Sequence, residues 1–143
     1  QRKHIQQLIN ECSNVILQSF TDDMMACMEA ADLVISMGGY NTVCELLTLR
    51  KQAIVVPRVI PVQEQWIRAD RMSKLGLIRA LHPDQLSPNL LMDTVKEELF
   101  KVNAGSASRY QINMDGLSGV CQGIYQLLGK KHISQPAINR LPA

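Results

Sequence analysis

The sequence predicts an α/β fold in which a Rossmann-like parallel sheet of about four strands is flanked by helices. Short β-branched runs alternate with segments of helical period, and this alternation is the signature of βαβ units. The run AIVV at 53–56 is apolar throughout, as expected of a strand that is covered on both faces. In such a sheet, ligands bind beyond the carboxyl ends of the strands. Any functional site should therefore be sought at that edge.

Two elements open the chain. Residues 1–13 carry apolar side chains at helical spacing, and the run VIL within 14–18 predicts a first strand. Thr21 or Asp22 is suited to cap a helix over 21–31, because a side-chain oxygen there can accept a free backbone N–H. The side chains of this helix expected to face the core are Met24, Met25, Met28 and Ala31.

The middle of the chain repeats the strand and helix pattern around a glycine turn. A strand over 32–37 is followed by the only adjacent glycine pair, Gly38-Gly39, and then by a helix over 42–50. The apolar strand at 53–56 ends at Pro57, since proline cannot donate to a sheet hydrogen-bond ladder. The arrangement of strand, glycine turn and helix start is a recurring ligand-binding geometry.

The last elements are marked by their boundary residues. Helical spacing over 63–75 ends at Gly76, which is suited to a left-handed C-terminal cap, and a short strand over 77–81 follows. Ser87-Pro88 starts a helix to about residue 101, because proline is favoured in a first helical turn. Asp115 is expected to cap a final helix that Gly129 closes.

Length and composition indicate one folded domain. The chain has 143 residues, of which 46% are hydrophobic and 20% are charged, so disorder is excluded. We assign the domain to 1–129 and a tail without periodicity to 130–143, after a surface loop at 103–114. The polar start without Met predicts that this segment is cut from a longer protein.

Charge and cysteine usage narrow the partners. Fifteen Lys and Arg residues against thirteen Asp and Glu leave a net charge of +2, too small for a nucleic-acid footprint. No apolar run approaches the ~18 residues of a membrane-spanning helix. Four widely spaced cysteines predict buried free thiols and a reducing cytoplasm.

The strongest local motif is the run SMGGYNTVCE at 36–45. Glycines allow close backbone approach, and the following helix offers free N–H groups and a positive dipole end to an anion such as a diphosphate. Glu45 could then accept hydrogen bonds from ribose hydroxyls. However, Thr42-x-x-Glu45 also matches a capping box, in which both side chains serve only the helix start. The residues alone leave both interpretations open.

Three further candidates have plain structural alternatives. Glu64 and Gln65 could hold sugar hydroxyls, or could form a solvated first helical turn. The backbone at Phe20 and Thr21 could contact a base, or this stretch could be a helix cap. Arg58 could meet a phosphate, or could be an exposed loop arginine.

The histidines do not predict a metal site or a catalytic triad. His4, His82 and His132 fall in separate elements, and none has a ligand partner at metal-binding spacing. No metal and no cofactor is expected.

Taken in order, four motifs resemble one known family. They are FTDDM at 20–24, AADLVISMGGYNTVCELL at 30–47, AIVVPR at 53–58 and EQWIRADRM at 64–72. They look like the C-terminal domain of glycosyltransferase family 28, nucleotide-sugar enzymes with two Rossmann-like halves that include the bacterial peptidoglycan N-acetylglucosaminyltransferase. The resemblance implies a donor half that binds a nucleotide sugar, a UDP-sugar, and transfers the glycosyl group to an acceptor held by an N-terminal half.

The resemblance also implies that the sheet is truncated at its N-terminal edge, because the family's donor domain begins with a glycine-rich strand, a helix and another strand. It further implies a role for each motif. Backbone near Phe20 reads the uracil, the glycine turn meets the diphosphate, Glu45 takes ribose hydroxyls, and Glu64 with Gln65 takes donor-sugar hydroxyls. The candidate donor-binding residues are Phe20, Thr21, Gly38, Gly39, Tyr40, Asn41, Thr42, Glu45, Arg58, Glu64 and Gln65. No catalytic residue is expected in this segment, because the family's acceptor half supplies the base, and the segment alone should be inactive.

Other interpretations stay open at this point. The chain could be a separate, non-catalytic nucleotide-sugar-binding subunit, a Rossmann-like interaction module, or a fragment of a nucleotide-sugar epimerase. The cysteine usage predicts a cytoplasmic protein, and a peripheral membrane contact of the full-length protein stays open.

Overall fold

The computed structural model describes residues 2–10, 12–103 and 116–129. The chain forms two compact units, 1–110 and 111–143, and each is described by itself. The predicted tail at 130–143, the Asp115 cap and all of the predicted loop except Asn103 lie outside the described residues.

The first unit is built on a parallel sheet, as the sequence predicts. Its strands are β1 (Val34–Ser36), β2 (Ala53–Val55) and β3 (Arg79–Ala80), in the order β1-β2-β3. Val34 pairs with Ala53, and Ile54 with Arg79. Its helices are α1 (Arg2–Asn10), α2 (Met24–Ala30), α3 (Tyr40–Thr48), α4 (Glu64–Lys74) and α5 (Pro88–Asn103), with a 3₁₀ turn at Pro83–Gln85. The second unit contains α6 (Gly116–Leu127).

The first predicted strand does not form. Residues 15–18 join no sheet, and Ile16 is 93% exposed, so the described residues contain three strands rather than about four. The β-branched run has the composition of a strand, but a strand is stabilised only by a neighbour that pairs its backbone and by a surface that covers its side chains. In the described residues, β1 pairs with β2 alone.

The core lies around the central strand. All three residues of β2 are fully buried, because β1 and β3 flank it and α5 packs against it. The buried apolar side chains are Met28, Val43, Leu46, Ala53, Ile54, Val55, Ala69, Ile78 and Leu81. Burying each large aliphatic side chain contributes about 1.5–3 kcal/mol. The continuous apolar run at 53–56 thus predicted the centre of the fold correctly.

Several side chains predicted to be buried are exposed. Met24 and Met25 are 51% and 41% exposed, because α2 spans only seven residues and turns Met28 alone into the core. The four cysteines are free thiols, as predicted, but none is buried. In the second unit the apolar side chains at helical spacing, Leu117, Val120, Cys121, Ile124 and Leu128, are exposed.

A polar cluster lies at the amino end of β2. Glu98, only 2% exposed, accepts hydrogen bonds from Gln52 Nε2 and, at 2.6 Å, from Lys101 Nζ. Thr94, also 2% exposed, donates to the Leu90 carbonyl oxygen at 2.7 Å. These bonds satisfy the buried oxygens of α5, as buried polar groups require. The cluster lies at the edge opposite the carboxyl ends of the strands.

No helix in the described part of the chain has both the length and the apolar character needed to cross a membrane.

Candidate functional site

The candidate site lies where the parallel strands end. The loops after β1 and β2 both leave the carboxyl edge of the sheet, and α3 and α4 begin there. This is the edge at which open parallel sheets bind ligands. The fold therefore places the glycine turn beside the first turn of α4, although Thr42 and Glu64 are 22 positions apart in the sequence.

Gly38 shapes the turn at the end of β1. Its φ of +75° lies in the left-handed region, and a Cβ added there would approach Val55 Cγ1 to 2.6 Å. Glycine is thus required both for the backbone conformation and for the close approach to β2. Gly39 has an ordinary φ of −56° and open space around it. The first glycine makes the turn and the second caps the helix.

The first turn of α3 presents free N–H groups. Gly39 is the N-terminal cap, no side chain caps the helix, and no acidic residue lies in the first turn. The first helical hydrogen bond is donated by the Val43 N–H to the Gly39 carbonyl at 3.0 Å. Among the described residues, no acceptor meets the N–H groups of Tyr40, Asn41 and Thr42. These donors and the positive end of the helix dipole form an anion-binding geometry.

The structure excludes one of the two interpretations of Glu45, the capping box. A capping box needs Thr42 to precede the helix, but α3 begins two residues earlier, at Tyr40, and Glu45 lies in its second turn. The Thr42 side chain makes no capping bond. The half-buried Glu45 carboxylate makes no hydrogen bond or ion pair with any described residue. The capping box is therefore excluded, and a carboxylate with free acceptor capacity stands one turn from the free N–H groups.

The start of α4 is tied to the loop after β2. Gln65 Oε1 accepts a hydrogen bond from the Arg58 backbone N–H at 3.1 Å, which leaves the Gln65 amide nitrogen to donate elsewhere. The Arg58 side chain is exposed and makes no ion pair in the described part. Glu64 is exposed and bonds to Arg68 Nη2 one turn along the helix.

The stretch at Phe20 serves in part as a helix cap. The cap is Asp23, whose Oδ1 accepts from the Ala26 N–H at 2.8 Å, and not Thr21 or Asp22 as the sequence suggested. The Thr21 hydroxyl accepts from the Asp23 N–H at 3.2 Å. Phe20 is 80% exposed. No hydrogen bond among the described residues joins this stretch to the glycine turn.

Two polar groups near this edge were missed by sequence reasoning. Arg68 lies with its guanidinium carbon 5.3 Å from the centre of the Tyr40 ring. Ser36 Oγ, at the end of β1, is buried and has no hydrogen-bond partner among the described residues. The i,i+4 spacing of Glu64 and Arg68 could have predicted their ion pair, but no local pattern brings Arg68 to Tyr40.

His82 has a structural role. Its ring meets Trp66 edge to face, with 4.7 Å between ring centres, and its Nδ1 accepts a hydrogen bond from the Asp84 N–H at 3.3 Å. Within the part of the chain that the structure describes, no three His, Cys, Asp or Glu side chains are grouped to hold a metal ion.

Comparison with known protein families gives a match over most of the chain. Residues 1–114 match the glycosyltransferase family 28 C-terminal domain. The chain belongs to this family. The match covers the whole parallel sheet, the glycine turn and the starts of α3 and α4.

Similar proteins carry one enzyme name, UDP-N-acetylglucosamine–N-acetylmuramyl-(pentapeptide) pyrophosphoryl-undecaprenol N-acetylglucosamine transferase. The chain is 29% identical over 92 residues to the Glaesserella parasuis protein, covering 64% of this chain and 26% of that one. It is 30% identical over 95 residues to a Haemophilus influenzae protein, covering 66% and 27%. For Clostridium kluyveri the identity is 34% over 79 residues, covering 54% and 22%. The matched regions thus span about a quarter of these relatives.

Proposed function

We propose that this domain is the donor half of a glycosyltransferase and binds a UDP-sugar at the carboxyl edge of its sheet. The observation that carries the proposal is the first turn of α3, where three N–H groups have no acceptor among the described residues and the Glu45 carboxylate is free one turn further on. A helix start that has no side-chain cap and no acidic residue in its first turn suits a diphosphate. A free carboxylate next to it suits a diol such as ribose.

The spacing of these groups fits a nucleoside diphosphate. Thr42 and Glu45 are three residues apart on α3, which is about 4.5 Å along a helix axis at 1.5 Å per residue. Phosphate oxygens at the helix start would accept from the N–H groups, while ribose hydroxyls donate to Glu45. When the glycosyl bond breaks, the leaving diphosphate gains charge, and the preorganised amides and helix dipole stabilise that charge.

The donor sugar is assigned to the start of α4. Because Gln65 Oε1 is occupied by the Arg58 N–H, its amide nitrogen is the group that can donate to a sugar hydroxyl. Glu64 adds a carboxylate that can accept from another hydroxyl. The Arg58 side chain, exposed in the same loop, is available for a phosphate oxygen. Phe20 and Thr21 are proposed to contact the base.

The rest of the reaction is proposed by family membership. The relatives are named as enzymes that transfer N-acetylglucosamine from a UDP donor to a lipid-linked acceptor. For this protein we propose an acceptor-binding N-terminal half, a cytoplasmic location and a peripheral membrane contact of the full-length protein. No catalytic residue is assigned to this chain.

Calorimetric titration with UDP tests the proposal. We expect the unchanged chain to bind UDP and Glu45→Gln to bind it about tenfold to about hundredfold more weakly, since hydrogen bonds to a charged group contribute about 1.5–3 kcal/mol. The matched control is Glu29→Gln, an exposed carboxylate near the end of α2 that should leave binding unchanged. Equal affinity of the Glu45→Gln variant and the unchanged chain would remove Glu45 from the site.

A deoxyribose analogue sharpens the same titration. With 2′-deoxy-UDP, the unchanged chain should lose affinity. The Glu45→Gln variant should lose little more, because the carboxylate that the 2′-hydroxyl would contact is already absent from it. Additive losses from the two changes would show that Glu45 acts elsewhere.

A further inference from the structure

Arg68 joins the starts of the two helices that border the site. Its Nη2 donates to Glu64 Oε1 at the first residue of α4, and its guanidinium lies over the ring of Tyr40, the first residue of α3. Only 18% of the Arg68 side chain is exposed, against 72% for Glu64. Arg68 is therefore held between two structural elements and is not a solvated arginine on a helix surface.

Burial of the Arg68 guanidinium costs desolvation free energy that its contacts within the domain do not fully offset. Its Nη1 is buried and meets no acceptor in the described part of the chain. A buried donor without a partner loses its hydration without compensation, and such groups in native structures call for an explanation. The contact with the Tyr40 ring offsets part of this cost, because arginine stacks on aromatic faces.

The charge of Glu64 gives Arg68 a role at this edge. Glu64 is an exposed carboxylate at the edge where, by the proposed function, a diphosphate binds. Two like charges within a Debye length of about 8–10 Å repel each other appreciably. An unpaired Glu64 would therefore oppose the diphosphate, although its oxygens are useful for a sugar hydroxyl.

We infer that Arg68 is a positioning residue of the donor site: from its place between Glu64 and Tyr40 it neutralises the Glu64 carboxylate, so that a nucleoside diphosphate can bind beside a sugar-binding carboxylate. The inference rests on the proposed function and deepens it. It concerns the tolerance of this site for the charge of the diphosphate, and it assigns Arg68 no direct contact with the ligand.

The inference predicts that loss of Arg68 weakens binding of ligands that carry a diphosphate and spares binding of ligands that lack one. UDP lacks the sugar, so Glu64 has no hydroxyl of its own to bind in that ligand, and uridine lacks the charge as well. Replacing Arg68 by methionine should weaken UDP binding by about tenfold at low ionic strength and leave uridine binding within about twofold. Added salt should reduce the difference, since it screens exposed charges.

The test is a double-variant cycle measured by calorimetry with UDP and uridine. The variants are Arg68→Met, Arg68→Lys, Glu64→Gln and the pair Arg68→Met with Glu64→Gln. Removing the Glu64 charge in the Arg68→Met background should restore UDP affinity to within about threefold of the unchanged chain. Arg68→Lys, which keeps the charge, should also stay within about threefold.

The outcomes separate the inference from the proposed function. Unchanged UDP affinity in Arg68→Met, or a double variant as weak as Arg68→Met, overturns the role of Arg68 and leaves the donor site in place. A folded, unchanged chain that does not bind UDP overturns both. As a readout without ligand, the Arg68 side-chain protons should be shielded by the Tyr40 ring in NMR spectra, and Tyr40→Leu should abolish that shielding. Arg68 proton shifts that Tyr40→Leu leaves unchanged would contradict the stacked geometry.

Discussion

Replacing Gly38 by alanine tests the turn on which the whole site is built. The substitution meets two separate obstacles in the structure: the left-handed φ of +75° and a Cβ that would lie 2.6 Å from Val55 Cγ1. The first costs an L-residue about 1–2 kcal/mol. The second is an overpacking term of about 1–3 kcal/mol, because Val55 is fully buried in the central strand and has no room to move. We expect a total loss of about 2–5 kcal/mol.

Two other glycines isolate these terms. Gly76 has a similar φ of +69° but nothing within 4 Å of an added Cβ, so Gly76→Ala should lose only about 1–2 kcal/mol. Gly39 has an ordinary φ of −56° and its nearest neighbour at 4.0 Å, so Gly39→Ala should change stability by less than about 1 kcal/mol. The difference in lost stability between Gly38→Ala and Gly76→Ala measures the contact with Val55.

Urea denaturation of the three variants gives the measurement. At a slope of about 2 kcal/mol per molar urea, the expected loss in Gly38→Ala lowers the midpoint by about 1–2.5 M. If Gly38→Ala loses no more stability than Gly76→Ala, then the close approach to Val55 does not constrain the turn and the reasoning fails.

Two further variants test the rest of the fold. Asp23→Ala should lower the free energy of unfolding by about 1 kcal/mol in urea denaturation, because Asp23 caps α2. Its control, Asp22→Ala, should stay within about 0.5 kcal/mol of the unchanged chain. A larger loss in Asp22→Ala than in Asp23→Ala would place the cap at Asp22. Glu98→Ala should cost about 1–3 kcal/mol, since it leaves Gln52 without its acceptor, and the exposed Glu97→Ala serves as its control. Equal melting temperatures of the last two variants would show that the buried cluster contributes nothing.

Elements with a strong local signal were predicted correctly. The apolar run at 53–56, the glycine turn and the helix over 63–75 all appear near their predicted places, because local chain chemistry suffices to mark them. The strand predicted at 14–18 failed, because a strand depends on partners that lie elsewhere. Glu98 and Thr94 are polar and would be expected at the surface, but both are buried. Their burial could not be predicted without knowledge of their hydrogen-bond partners.

The candidate site was predictable in its parts. Local patterns indicated a glycine turn at the start of a helix and polar groups at the start of α4. Local patterns did not decide between a capping box and a free carboxylate at Glu45, since both share the same spacing. A shift of two residues in the start of α3 settled that question.

By itself, the sequence determined the parallel α/β class and the central strand, and it predicted the carboxyl edge as the place of the candidate site, because periodicity and glycine placement depend on local chain chemistry. Only the tertiary structure decided which of these groups keep free donors and acceptors, and that Arg68 lies between Glu64 and Tyr40. Tyr40 and Arg68 are 28 positions apart in the chain, and two helices that start at the same sheet edge bring them together. Contacts of this kind arise from packing, which no local spacing encodes.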